Sequence, residues 1–84
     1  MRYRNRTDII AQMLESAAID GVTKTKLMYR AYVHHEQISY YIHLLVENDL
    51  LNFTQETRHY HTTVKGQRFL ENYAYMLECM TDAL

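Results

Sequence analysis

Apolar residues recur at helical spacing in four stretches of the chain, and two short stretches of alternating residues lie between the third and the fourth. The first stretch predicts a helix over residues 7–18, with a buried face formed by Ile9, Ile10, Met13, Leu14 and Ala17. Asn5 or Thr7 can cap the start of this helix. Gly21 is expected to adopt a left-handed conformation at its exit.

The second stretch predicts a short helix that begins after Thr23, a residue type favoured at helix N-caps. Val22 before the cap and Leu27 after it have the spacing of a hydrophobic staple. Leu27 and Met28 are expected to face the core. Residues 31–33 form the turn that follows.

The third stretch predicts a longer helix over residues 34–48, in which Gln37 holds the capping-box position. Its apolar face comprises Ile38, Tyr41, Ile42 and Leu45. Its outer face comprises Glu36, Ser39, Tyr40, His43 and Glu47. Asn48 and Asp49 supply the helix exit, because both residue types tolerate left-handed backbone geometry.

Residues 51–54 and 58–62 alternate as strands do, and they predict a hairpin with its tip at residues 55–57. The inward-facing residues of this hairpin are expected to be Leu51, Phe53, Tyr60 and Thr62. Thr63 then caps a last helix that continues to about Asp82.

Apolar residues on the last helix are separated by alternating steps of four and three residues, the pattern of a coiled-coil seam. The seam comprises Phe69, Tyr73, Met76, Met80 and Ala83, and Leu70 and Leu77 flank it. Such a seam, left exposed on a small monomer, would be a sticky apolar patch. We therefore expect a homodimer whose dimerisation residues are Phe69, Tyr73, Met76, Leu77 and Met80.

The order of helix, turn, longer helix, hairpin and final helix is that of a winged helix-turn-helix. The predicted fold is mainly α with a short β-hairpin, a winged helix-turn-helix plus a C-terminal dimerisation helix. One domain spans residues 1–84, with a basic arm at 1–6, the winged helix at 7–63 and the dimerisation helix at 64–84. The second helix of such a pair is built to lie in a DNA major groove, so helix 34–48 predicts binding of double-stranded DNA.

Composition and charge change this picture only in part. The 84 residues suffice for one domain, but their net charge of −1 is low for a DNA-binding protein. Residues 1–35 carry six Lys/Arg against three Asp/Glu, so one surface can still be basic. The single cysteine, Cys79, excludes an internal disulfide, and no apolar run approaches the length of a membrane span. We expect a cytoplasmic protein, associated with the nucleoid if it binds DNA.

Candidate phosphate contacts follow the Thr23 cap. Lys24 and Lys26 oppose the helix dipole, which favours anions at this end, and a bound phosphate would resolve that conflict. The residues predicted to contact phosphates here are Thr23, Lys24, Thr25, Lys26 and Arg30. The alternative interpretation is an ordinary solvated, charged helix face.

Further candidates lie on the third helix and on the hairpin. The side chains predicted to face bases or the DNA backbone are His35, Ser39, Tyr40 and His43. The hairpin over residues 51–62 is the wing of such a fold. On the wing, Arg58 and His59 are placed to contact phosphates, with His61 beside them. Arg2, Arg4 and Arg6 can form an arm along phosphates or in a minor groove.

Two other classes of protein are compared with the DNA-binding interpretation. The acidic and aromatic outer face of helix 34–48 also fits a protein–protein interaction module without sequence-specific DNA binding, so a protein partner on that face is an alternative. No catalytic constellation, cofactor motif or metal-ligand spacing is visible, and we expect neither an enzyme nor a cofactor or metal site.

Three segments resemble a known family: Thr-Lys-Thr-Lys-Leu-Met-Tyr at 23–29, residues 37–51, and Thr-Thr-Val-Lys-Gly-Gln-Arg-Phe-Leu at 62–70. The family is that of small archaeal winged helix-turn-helix DNA-binding proteins, which are dimers joined by an antiparallel coiled coil of their last helices. The resemblance covers about residues 6–77 and implies DNA binding and dimerisation. In that family the third helix is commonly capped by serine and carries lysine or arginine on its outer face. The corresponding positions of this chain are His34, Glu36, Ser39, Tyr40 and His43.

Overall fold

The computed structural model describes residues 5–82, so Arg2 and Arg4 of the predicted arm and Ala83 of the predicted seam lie outside the described residues. The elements along this part of the chain are α1 (Arg6–Ser16), α2 (Lys24–Ala31), α3 (His35–Glu47), β1 (Leu51–Thr54), β2 (His59–Thr62) and α4 (Val64–Asp82). The two strands form one antiparallel hairpin. The predicted fold class, mainly α with a short hairpin, is confirmed.

Helix α1 begins with a capping box. The Asn5 side chain accepts from the Asp8 backbone N–H at 2.9 Å, and the Asp8 carboxylate accepts from the Asn5 N–H at 3.2 Å. Each side chain therefore satisfies a backbone donor that the first turn leaves unpaired. The choice between Asn5 and Thr7 as the cap is decided in favour of Asn5.

The exit of α1 differs from the prediction. The helix ends at Ser16, and Gly21 does not have a positive φ, so the expected left-handed exit is wrong. The chain instead extends so that Val22 exchanges two backbone hydrogen bonds with Tyr60 of β2, at 3.0 and 2.7 Å. Gly21 serves this close approach, since a Cβ there would lie 2.5 Å from His61 Cε1.

Helices α2 and α3 form the helix-turn-helix. The Thr23 hydroxyl accepts from the Lys26 N–H at 3.2 Å, which confirms the predicted cap. Tyr32 ends α2 in a left-handed conformation with φ 55°. The predicted capping box of α3 is wrong: the His34 side chain makes no cap hydrogen bond, and the Gln37 N–H donates to the His34 backbone carbonyl at 2.9 Å.

The core contains the apolar faces that the periodicity predicted. On α3 the buried residues are Ile38, Tyr41, Ile42 and Leu45. They pack in one cluster with Met13, Leu14, Ala17, Val22, Leu27, Ala31, Val33 and Leu51, against which Ile9, Ile10 and Met28 are partly buried. This shared core fixes the outer face of α3 toward solvent.

The hairpin pairs Leu51 with Thr62 and Phe53 with Tyr60. Strand β2 begins at His59 rather than at Arg58, because Arg58 has a left-handed φ of 56° and belongs to the turn. The prediction that Phe53 faces the core is wrong, since the side chain is 42% exposed. Its ring lies against Tyr60 instead, with centroids 4.8 Å apart.

Helix α4 is anchored at its start and exposed near its end. The Thr63 hydroxyl accepts from the Gly66 N–H at 3.0 Å, as the predicted cap requires, and Asp49 takes the predicted left-handed φ of 60°. Gly66 is buried so tightly that a Cβ would lie 2.5 Å from the Leu50 carbonyl oxygen. The described chain measures 46 × 28 × 20 Å, and a helix of 19 residues accounts for about 28 Å of length.

Candidate nucleic-acid interface

The start of α2 and the outer face of α3 form one surface. Lys24 in the first turn of α2 donates from Nζ to Ser39 Oγ on α3 at 2.9 Å. Thr23, Thr25 and Lys26 beside it are exposed. In the part of the chain that the structure describes, neither lysine forms an ion pair, so both charges face solvent.

This first turn contains two cations and no acidic residue. The free N–H groups and the helix dipole already make the N-terminus positive, and the lysines add to that charge. The local electrostatics therefore favour an anion at this position. Arg30 is also exposed, but it lies in the last turn of α2, about 9 Å further along the axis.

The outer face of α3 is exposed as predicted, through Glu36, Ser39, Tyr40, His43 and Glu47. His43 Nε2 lies 3.5 Å from Glu47 Oε1, one turn along the helix. Part of any charge on a protonated His43 is therefore offset by its own neighbour. The Ser39 hydroxyl is already engaged by Lys24.

Arg6 contacts this face in a way that the sequence did not reveal. It was predicted to belong to a basic arm, but it is the first residue of α1, and its guanidinium lies 5.3 Å from the centroid of the Tyr40 ring. Tyr40 also meets Tyr41 edge to face, with centroids 5.3 Å apart. The cation and the neighbouring ring hold Tyr40 in place on the surface.

The wing approaches the start of α2. A cleft of about 300 Å³ is lined by Thr23, Lys24, Thr25, Phe53, Arg58 and Tyr60. The structure thus brings Arg58 to the same cleft as Lys24 of α2, although the two residues are 34 positions apart in the sequence. His59 is half-buried and His61 is exposed.

His35 does not line the cleft that contains Lys24 and Arg58. It lines a separate cleft at the turn between α2 and α3, together with Met28, Tyr29, Tyr32, Val33 and His34. Tyr29 and Tyr32 are 69% and 77% exposed there. Neither tyrosine was selected from the sequence as a site residue.

A third cleft, of about 370 Å³, lies between α3 and the wing. It is lined by Lys24, Ser39, Ile42, His43, Val46, Phe53 and Tyr60. Val46 and Phe53 are 41% and 42% exposed, and neither was predicted as a functional residue. The only sequence signal was an aromatic residue in a very short strand, which strand propensity alone explains.

The predicted dimerisation residues divide into two groups. Phe69 packs against the core of its own chain, and the Tyr73 hydroxyl donates to the Asp8 carboxylate. Met76 and Met80 are 43% and 59% exposed, and Leu77 between them is partly buried. The exposed members of this set therefore lie in the distal half of α4, over a shorter length than the seam that the spacing predicted.

The described residues contain no group of three or more His, Cys, Asp or Glu placed to hold a metal ion. None of their helices combines the length and apolarity needed to cross a membrane.

The order of the elements and the exposed outer face of α3 define a winged helix-turn-helix protein. A family model described as "Winged helix-turn-helix" matches residues 3–81, so the chain belongs to that family. A solved structure with the same fold is that of Sso10a-2, a DNA-binding protein from Sulfolobus solfataricus. It is 22% identical, with a TM-score of 0.77 over 95% of this chain and 88% of the other. The comparison with curated proteins gives no match. The resemblance to small archaeal winged-helix proteins is confirmed.

Proposed function

We propose that this protein binds double-stranded DNA as a homodimer, as a transcriptional regulator or a chromatin-associated protein. The hydrogen bond from Lys24 to Ser39 is the observation that carries the proposal. It joins a cationic helix start to the exposed face of α3, so phosphate contacts and base contacts belong to one surface. The solved structure with the same fold is that of a DNA-binding protein, which agrees with this proposal.

In the proposed complex, α3 enters the major groove and the surrounding cations hold the backbone. Lys24, Lys26, Arg30 and Arg58 contact phosphates, with the hydroxyls of Thr23 and Thr25 as further donors. Ser39, Tyr40 and His43 meet base edges, and His35 and His59 meet the backbone. None of these side chains makes the arginine–guanine contact that dominates specific recognition, so sequence selectivity is weak.

Dimerisation is proposed through the distal half of α4. Met76, Leu77 and Met80 lie on one stripe of that helix, and two of the three are exposed. Burying such a stripe against a second copy removes apolar surface from water. The dimer also doubles the number of phosphate contacts.

A protein–protein interaction module is the second candidate function. Glu36 and Glu47 are exposed on the same face as Tyr40, and these carboxylates would repel phosphates but attract a basic protein. Removing the two carboxylates should therefore strengthen binding to DNA, whereas it should weaken binding to a basic protein partner.

The test is fluorescence anisotropy with a labelled random duplex, comparing wild type with a Glu36→Gln/Glu47→Gln variant. The DNA proposal expects the variant to bind several-fold more tightly, because repulsion from phosphates is removed. Glu71→Gln is the matched control, since Glu71 is exposed on α4, outside the proposed interface. No duplex binding by wild type would favour the interaction module, and weaker duplex binding by the double variant would contradict phosphate contacts beside this face.

A further inference from the structure

The wing carries an aromatic pair, Phe53 and Tyr60, that stands between two clefts. The residues are cross-strand partners, and their rings are tilted by 40° with centroids 4.8 Å apart. Both rings line the cleft toward α3 and also the cleft toward Arg58. Lys24 lines both clefts as well, so a cation borders the pair on each side.

Phe53 is exposed beside phosphate contacts that do not themselves require an aromatic ring. Its side chain is 42% exposed, and Val46, 41% exposed, lines the same cleft. A backbone phosphate gains nothing from an apolar wall. The faces of paired bases are hidden within the stack of a duplex, which offers an aromatic ring only base edges, sugars and phosphates.

The charges around the aromatic pair are complementary to nucleic acid. No carboxylate lines either cleft, whereas Lys24, Arg58 and His43 do. Glu47 contacts His43 at 3.5 Å but is not part of the lining. Hydroxyl groups of Thr23, Thr25 and Ser39 complete the polar rim. A flat ring surrounded by cations and hydroxyls suits a base together with its phosphate.

We propose that Phe53 is a stacking platform for an unpaired base, and that the wing thereby binds single-stranded DNA. Proteins that bind single strands combine a cationic groove with aromatic side chains on which bases stack. Tyr60 supports the ring from the neighbouring strand, and Lys24 and Arg58 hold the flanking phosphates. This activity goes beyond duplex binding, although it shares Lys24 and Arg58 with the function proposed above.

The sequence allows a direct spectroscopic test, because the chain contains two phenylalanines. Phe69 packs against the core and serves as the internal control for Phe53 on the wing. Selective ¹³C labelling of phenylalanine gives signals from these two rings. We expect a ten-nucleotide oligothymidine to shift the Phe53 ring signals and leave those of Phe69 in place. An abasic oligomer of equal length carries the same phosphates and should shift neither.

Affinities for the same two oligomers and for a duplex provide the second measurement. Phe53→Leu keeps an apolar side chain but removes the ring, and should weaken oligothymidine binding by about 5- to 150-fold if one base stacks fully. Phe53→Tyr keeps the ring and should bind nearly as wild type. Duplex and abasic affinities should stay within about twofold for both variants, because their phosphate contacts are intact.

Three results would overturn the inference: oligothymidine that leaves the Phe53 signals unmoved, an abasic oligomer that shifts them equally, or equal losses of single-strand and duplex binding in Phe53→Leu. The thermal unfolding midpoint of Phe53→Leu shows whether the wing is still folded. Failure of the proposed function has a different signature, since wild type would then not bind the duplex whatever its response to single strands.

Discussion

Replacing Lys24 by glutamine removes one positive charge from the surface that joins α2 to α3. The lysine is exposed and forms no ion pair with the described residues. Its hydrogen bond to Ser39 is exposed, so water can take the place of the lost donor. Removing a cation from a helix N-terminus also relieves its conflict with the dipole. The fold should therefore tolerate the substitution, and a change in DNA binding would report the lost phosphate contact.

The expected magnitude follows from counterion release. Each phosphate contact contributes about 0.9 to the slope of log affinity against log salt concentration. The four cations proposed above give a dimer about eight such contacts and a slope near −7.2, so its affinity falls about 20,000-fold between 50 and 200 mM salt. Lys24→Gln removes one contact from each protomer, which reduces the slope to about −5.4 and the loss to about 1,800-fold.

The measurement is anisotropy of a labelled random duplex at several salt concentrations between those limits. Arg68→Gln is the matched control, because Arg68 is an exposed cation on α4 that lines none of the clefts beside α2 and α3. A slope for Lys24→Gln equal to that of wild type would refute a phosphate contact by Lys24. An equal flattening in Arg68→Gln would mean that net charge, rather than this surface, controls binding.

Three further substitutions test the dimer, the wing and the packing of α4. Met76→Glu places a charge in the distal stripe of α4. Sedimentation at ~100 µM should show a dimer for wild type and a monomer for this variant. A monomeric wild type would contradict the proposed interface. Arg58→Gln removes a cation from the wing and should flatten the salt dependence of duplex affinity, because each protomer loses one phosphate contact; a slope equal to that of wild type would remove Arg58 from the interface. Gly66→Ala places a Cβ 2.5 Å from the Leu50 carbonyl oxygen and should lower the free energy of unfolding by about 1–3 kcal/mol in urea denaturation. An unchanged midpoint would show that α4 can shift away from Leu50.

The elements that could be predicted are those whose signals are local. The apolar periodicity of α3 defines its buried face without reference to the rest of the chain, and Thr23 and Thr63 cap helices whose first turns follow directly. The left-handed position at Asp49 is likewise a property of residue type and helix end. The bounds of these elements therefore agreed with the prediction to within two residues.

Contacts between distant segments had no such signal. The bridge between Val22 and Tyr60 pairs single residues 38 positions apart. The segment before it differs from the prediction: α1 ends at Ser16, and Gly21 allows a close approach to His61 instead of a left-handed turn. Alternation correctly placed Phe53 on the same face as Leu51, but it could not show that the core ends before Phe53. The proposed stacking platform results from that difference.

The sequence identified residues of the candidate site, but it did not predict how they are arranged in space. Lys24, Ser39 and Arg58 were each selected from the sequence, but their meeting around one aromatic pair depends on how the wing folds against α2. Arg6 shows the same limitation, since its contact with Tyr40 joins α1 to α3 across 34 residues. Spacing along the chain identifies chemical groups, and only the fold decides which of them act together.

The distribution of charge over the proposed interface bears on the choice between a regulator and a chromatin-associated protein. Its cations lie around α3, at the start of α2 and on the wing, whereas α3 itself presents Glu36 and Glu47 to solvent. Phosphate contacts supply affinity without sequence information, and base selection requires donors on the helix within the groove. In the proposed interface the cations around α3 therefore supply affinity, whereas α3 itself supplies little sequence selectivity. A ratio of specific to random-duplex affinity well below the usual range of about 10³–10⁷ is therefore expected, which favours an architectural role over recognition of a single operator.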